Sequence, residues 1–220
     1  MKKKPKARIA IVDDHAIVRQ GLTQLLNSTG RFTVCAETAS PAEAMLAIGA
    51  SNPDCAIVDL CLGKASGLDL IEAIIGRWPN LPILVLSMYD ETVYAERSLR
   101  AGARGYVMKR EVSETLMEAL REVLAGEIYV ARSMRSRILQ HLVAARAKGA
   151  DSPFETLTNR ELEVFRLLGE GQATSEIAGR LSLSVKTIET YCARIKEKLD
   201  VPNARELTRR AILWVEKSRG

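Results

Sequence analysis

Five short apolar runs mark the first part of the chain: RIAIVD (residues 8–13), FTVCAE (32–37), DCAIVDL (54–60), PILVLS (82–87) and GYVMK (105–109). Each has the length and bounding residues of a strand, and each is followed by a stretch with helical spacing. Five successive βα units predict a parallel sheet with helices on both faces, and IAIV, AIV and ILVL have the continuous hydrophobicity of strands buried on both sides. From about residue 154 the period is that of helices alone. In LTNRELEVFRLLGEG, Thr158 is a candidate N-cap and Glu161 its capping-box partner, ahead of an apolar face of Leu162, Phe165 and Leu168 or Gly169. ATSEIAGRLSLSVKTIETYCARIKEKL then predicts two helices broken at LSLS. In the second, Val185, Ile188, Cys192, Ile195 and Leu199 recur at steps of 3, 4, 3 and 4, a stripe expected to face the core.

Between these parts lies ARSMRSRILQHLVAARAKGADSP, which has helical spacing at Met134, Ile138 and Leu142 and then breaks into Gly, Ala, Asp, Ser and Pro. It reads as a partly helical linker, dividing the chain into a domain at 7–128, a linker at 129–153 and a domain at 154–218. The net charge of +5 is distributed as −1 over residues 1–128, +4 over 129–153 and +2 over 154–220. The basic excess therefore begins at the linker. No apolar run approaches the roughly 20 residues that span a bilayer, and the start MKKKPKARIAIVDD lacks the hydrophobic core of a signal peptide, so a cytoplasmic protein without a membrane partner is expected. Cys35, Cys55, Cys61 and Cys192 are scattered and only two histidines are present, which indicates neither a zinc site nor a disulfide framework.

The polar residues of the first domain are placed regularly. Asp13 and Asp14 end the first run, Asp59 the third, Ser87 the fourth and Lys109 the fifth. The carboxyl ends of parallel strands lie along one edge, where open sheets bind ligands. Singly, Asp13, Asp14 or Ser87 reads as a helix cap and Lys109 as a solvated lysine. Chance placement at the same end of four strands is a poorer account of all five. Clustered carboxylates repel unless a cation is present or a proton is shared, and hard oxygen ligands without histidine or cysteine suit Mg²⁺. With Mg²⁺ and Lys109 neutralising charge, an Asp59 oxygen is placed to attack phosphorus and form an acyl phosphate, with Ser87 and Lys109 contacting the new phosphoryl oxygens.

VDDH, IVDL, LVLS and GYVMK, at these separations, resemble the receiver domain of bacterial two-component response regulators. The resemblance implies a flavodoxin-like (βα)5 fold, with Asp59 as the phosphoacceptor for a sensor histidine kinase. It further implies Mg²⁺ held by Asp13, Asp14, Asp59 and the Cys61 backbone carbonyl, and phosphoryl sensing by Ser87, Lys109 and Tyr106. Gly67 matches the family glycine that follows the phosphorylation loop. Two positions depart from the pattern. Gly63 stands where proline is common, which predicts a more flexible loop, and Arg110 replaces the proline that often follows the lysine, so Lys109 must be placed by another device.

LTNRELEVFRLL, EIAGRLSLSVKTIETY and RIKEKLDV resemble, in order, the LuxR-type DNA-binding domain. The two resemblances together cover almost the whole chain and point to a NarL/FixJ-type regulator. By position in that family, Glu189, Thr190 and Ala193 face bases of double-stranded DNA, and Lys186, Thr187 and Arg194 touch phosphates. Tyr191 stands where many members have histidine. The implied mechanism is a population shift: phosphorylation exposes a dimerising surface, and the homodimer binds paired half-sites.

Other classes are weighed on the same residues. An aspartyl phosphatase usually carries a second aspartate two residues after the nucleophile, where this chain has Cys61, and no GxxxxGK[ST] loop occurs. A constitutive DNA-binding regulator with a degenerate receiver would not need the complete acidic set with Ser87 and Lys109.

Overall fold

In the computed structural model, residues 5–63, 65–88, 91–132, 134–135 and 153–219 are described. The greater part of the expected linker, 136–152, lies outside them. The chain forms two units, Met1–Ser136 and Arg137–Gly220.

The first unit alternates strands and helices: β1 (Ala7–Val12), α1 (Ala16–Ser28), β2 (Phe32–Thr38), α2 (Pro41–Ser51), β3 (Cys55–Val58), the two-residue strands β4 (Cys61–Leu62) and β5 (Ala65–Ser66), α3 (Gly67–Arg77), β6 (Ile83–Ser87), α4 (Glu91–Arg100), β7 (Gly105–Met108) and α5 (Val112–Leu124). Five strands make one sheet in the order β2-β1-β3-β6-β7, with every pairing parallel. This is the flavodoxin-like order, with its reversal between β1 and β3. Alternate residues of β1 point to opposite faces, yet Ile9, Ala10, Ile11 and Val12 are all buried, because helices cover both sides. On one face Ile9, Ile11, Ile57, Leu84 and Leu86 pack with Leu22 and Leu26 of α1 and Leu116, Leu120 and Val123 of α5.

The second unit is helical: a 3₁₀ turn (Pro153–Thr156), α6 (Asn159–Gly169), α7 (Thr174–Leu181), α8 (Val185–Lys198) and α9 (Ala204–Arg219). The capping box forms as the spacing predicts: the Glu161 N–H donates to Thr158 Oγ1 at 3.3 Å and the Thr158 N–H to Glu161 Oε2 at 2.8 Å. Phe154, Phe165 and Trp214 cluster with ring centroids 5.4–5.8 Å apart. At Gly169 a Cβ would lie 2.4 Å from the Ala211 carbonyl oxygen, so glycine lets α6 and α9 approach. Between α7 and α8 the chain turns through Ser182 in the left-handed region (φ 52°), and Ser184 caps α8 by accepting the Thr187 N–H at 3.0 Å.

The apolar stripe of α8 is only partly a core face. Ile188, Ile195 and Leu199 are buried and Cys192 is half-buried, but Val185 is 42% exposed. Val185 is the first residue of α8, so the stripe is exposed where it leaves the turn and buried further along.

Candidate functional site

Asp13 directly follows β1, Asp59 directly follows β3, Ser87 ends β6, and Lys109 opens a 3₁₀ turn (Lys109–Glu111) after β7. The parallel register brings these ends to one edge, as the sequence predicts. Asp13, Asp59 and Ser87 are buried, with 2%, 2% and 0% exposure, and Asp14 is partly exposed. Lys109 Nζ lies 2.6 Å from Asp13 Oδ2 and 2.7 Å from Asp59 Oδ2, bridging the two buried carboxylates. This pair of contacts places the lysine where proline is missing; the bond to Arg110 is trans.

One ammonium does not balance the site. Burial pushes the Asp59 carboxyl up to about 6; the Lys109 charge and hydrogen bond oppose it, and Asp13 raises it further. Burial pulls Lys109 down, but Asp59 and Asp13 outweigh it and hold the ammonium above the ordinary lysine range. Asp59 Oδ1 is buried and has no hydrogen-bond partner. Leaving a charged oxygen unsatisfied in a protein interior is costly, so this oxygen suits a cation ligand.

The donor set fits Mg²⁺. Asp13, Asp14, His15 and Asp59 each offer one atom within 4.8 Å of the others, and the three carboxylates supply the hard oxygens that the ion prefers. Lys109 engages Oδ2 of both Asp13 and Asp59, which leaves Asp59 Oδ1 to a second positive centre. Cys61, whose carbonyl is the fourth expected ligand, is half-buried and stands in β4, next to the site.

His15 joins this cluster, a residue to which the sequence reading assigns no role. Its Nδ1 lies 2.7 Å from Asp14 Oδ1 and 3.3 Å from Asp13 Oδ1, and its N–H donates to Asp13 Oδ1 at 2.8 Å. Its position beside two aspartates is the one signal that points to it. Arg19 of α1 donates to the Asp13 carbonyl at 2.5 Å.

Two glycines shape the loop after Asp59. Gly63 has φ +59°, and its N–H donates to Asp14 Oδ2 at 3.0 Å, so the loop expected to be loosened here is tied to the acidic pair. At Gly67 a Cβ would lie 2.2 Å from the Asp59 carbonyl oxygen and 2.5 Å from the Leu60 Cα, so only glycine lets α3 begin against the strand end. Tyr106 lies on β7 with 1% of its surface exposed.

The second candidate surface is α8. Lys186, Glu189, Thr190, Ala193 and Arg194 are exposed and Thr187 is half-buried. Thr190 Oγ1 donates to the Lys186 carbonyl at 2.9 Å, and Thr187 Oγ1 lies 2.7 Å from Ser184 Oγ, so these hydroxyls brace the helix start. Behind it, Lys198 Nζ reaches Glu161 Oε2 at 2.6 Å and the Thr156 carbonyl at 3.1 Å, fastening the end of α8 to the capping box of α6.

Comparison with known proteins covers both units. The family model of the response regulator receiver domain matches residues 9–121, and that of the bacterial regulatory proteins of the luxR family matches residues 155–211. The chain is 35% identical over 209 residues to the oxygen regulatory protein NreC of Staphylococcus carnosus, covering 93% of this chain and 96% of that protein. It is similar to the RcsB response regulator of Salmonella typhimurium, with 27% identity, 94% of this chain and 96% of the other covered, and a TM-score of 0.65. RcsB from Salmonella enterica serovar Typhimurium, bound to promoter rprA in the presence of phosphomimetic BeF3−, matches with 27% identity, coverage of 93% and 98%, and a TM-score of 0.60.

Proposed function

This chain belongs to the two-component response regulators that join a receiver domain to a LuxR-type helix-turn-helix, and from that premise we propose that phosphorylation of Asp59 controls its binding to DNA. The observation that carries the reading is the buried Asp59 carboxylate with an unpartnered Oδ1, between Asp13 and Lys109.

An Asp59 oxygen attacks the phosphorus of a phosphohistidine on the sensor kinase; the O–P bond forms as the N–P bond breaks, and the imidazole leaves. Asp13, Asp14, Asp59 and the Cys61 carbonyl would hold Mg²⁺, which when bound supplies charge neutralisation for the incoming phosphoryl group. Lys109 already stands at Asp59 and exchanges a carboxylate contact for a phosphoryl oxygen. Ser87, at the end of the adjacent strand, takes another. Tyr106, buried on the adjacent strand β7 and paired with Val85, responds to that movement.

We assign residues 7–128 to the phosphoacceptor domain, 129–153 to the linker and 154–218 to the DNA-binding domain, acting in the cytoplasm. Phosphorylation shifts the protein toward a homodimer whose two α8 helices enter successive major grooves. Glu189, Thr190 and Ala193 read base edges, and Lys186, Thr187 and Arg194 hold phosphates. The protein is a transcription regulator, with self-phosphorylation from small donors and self-dephosphorylation as its chemistry.

Incubation with acetyl phosphate and Mg²⁺ followed by intact mass tests this. One phosphoryl adduct is expected on the wild type and none on Asp59→Asn, together with loss of phosphate-stimulated DNA binding. Absence of an adduct on the wild type would mark a constitutive DNA binder; rapid phosphate release without accumulation would mark a phosphatase.

A further inference from the structure

The edge of the sheet opposite the acidic site carries the reverse charge. Arg31 precedes β2, Arg8 lies in β1, Asp54 precedes β3, Pro82 precedes β6 and Arg104 precedes β7, so the strand starts line up in the sheet's own order. Lys6 and, from α5, Arg121 join the same open recess of about 1460 Å³, with Pro79, Leu81 and Ile128 among its apolar walls. All five cations are exposed.

These cations are oriented but not neutralised. Arg8 donates to the Ser51 carbonyl at 2.6 Å, Arg104 to that of Gly126 at 3.3 Å and Arg121 to that of Met117 at 3.1 Å. The first two suit the negative ends of α2 and α5, the third lies along α5, and each leaves most of the guanidinium donors open. Among the described residues none of the five pairs with a carboxylate. The one acid in the row, Asp54, accepts the Arg8 backbone N–H at 2.8 Å. Lys2, Lys3 and Lys4 stand just ahead in sequence.

We propose that this N-terminal sheet edge is a second, sequence-independent contact with duplex DNA, made to its phosphates. Five strand starts at about 4.8 Å spacing form a row roughly 19 Å long, against one phosphate per about 3.4 Å of helix axis on each strand. The recess is broad and open rather than the enclosed cleft that small ligands favour. The acidic edge repels the duplex and the basic edge attracts it, so the receiver is polarised toward DNA and its phosphoacceptor is kept clear for the kinase. The inference rests on the reading of the chain as a DNA binder.

The test is duplex binding by full-length protein across a salt series, on an operator and on an unrelated duplex. The variant is Arg31→Gln/Arg104→Gln/Arg121→Gln, shown to be folded by its Mg²⁺-dependent phosphoryl uptake at Asp59. Three lost phosphate contacts make the slope of log K against log salt shallower by about 2 to 3, equally on both duplexes, with the specificity ratio unchanged. An unchanged slope overturns the proposal, as does an effect confined to competition by free nucleotides, which would make the recess a small-ligand site. Arg194→Ala in the same assay separates the two readings. Loss there but not in the triple variant overturns the edge contact alone, whereas a wild type that binds neither duplex overturns both.

Discussion

Each unit contains one buried carboxylate held by one lysine, and the two carboxylates behave in opposite ways. Asp59 and Glu161 are each 2% exposed, with lysine nitrogens at 2.7 and 2.6 Å. Burial raises both. At Glu161 the Lys198 hydrogen bond and charge and the Thr158 backbone and hydroxyl together outweigh it, so its carboxyl ends below the usual range. At Asp59 the single lysine is shared with Asp13, one oxygen has no partner, and burial wins. The same kind of contact is structural where several donors together outweigh burial and functional where a buried oxygen is left open.

The largest expected effect comes from removing the unanswered charge. In Mg²⁺-free buffer at neutral pH, Asp59→Asn should stabilise the N-terminal unit by about 1–3 kcal/mol, since a carboxyl raised from 3.8 to about 6 must otherwise ionise at a cost. Calorimetry that resolves the two units checks this; a destabilised N-terminal transition would break the contrast. Glu161→Gln should act the other way, costing the C-terminal unit about 1–2 kcal/mol, because Lys198 is partly exposed and recovers some hydration.

Mg²⁺ should sharpen the distinction further. At ten times its dissociation constant the ion adds about 1.4 kcal/mol to the N-terminal unit and nothing to the other, an increment that Asp14→Asn should reduce. An equal rise in both transitions would refute specific binding.

A comparable effect is a divergence with pH. The folded Asp59 carboxyl holds its proton up to about 6, against 3.8 unfolded, so metal-free stability of the N-terminal unit should fall as pH rises from about 4 to 6. Glu161 is depressed, so its stabilisation is complete above its ordinary value of 4.5 and is lost as pH falls through its lower folded value. As pH falls from 6 the N-terminal transition should therefore rise while the C-terminal one holds still, and below about 4.5 the C-terminal one should begin to fall.

Much of this arrangement is legible in order along the chain. The βα alternation, the acids and lysine at strand ends and the Thr158–Glu161 capping box all follow from local spacing, and the folded chain contains each of them. Less legible are features joined across long separations. Gly63 meets Asp14 from 49 residues away, and Lys198 meets Glu161 from 37. Val185 fits the stripe of α8 yet stands exposed, because periodicity says which face a residue shares and not which positions on that face find a tertiary neighbour.

Sequence alone determined which residues make strands and helices, that the reactive side chains occupy one end of the strands, and the family to which the chain belongs. Those properties depend on hydrophobic period and on residues a few positions apart. Only the tertiary structure decided that Lys109 bridges two carboxylates, that an Asp59 oxygen is left without a partner, that His15 joins the cluster, and that arginines from four distant segments share one edge. Burial and charge act through space, so their balance exists only once the folded chain has set which groups are neighbours and how much water remains between them.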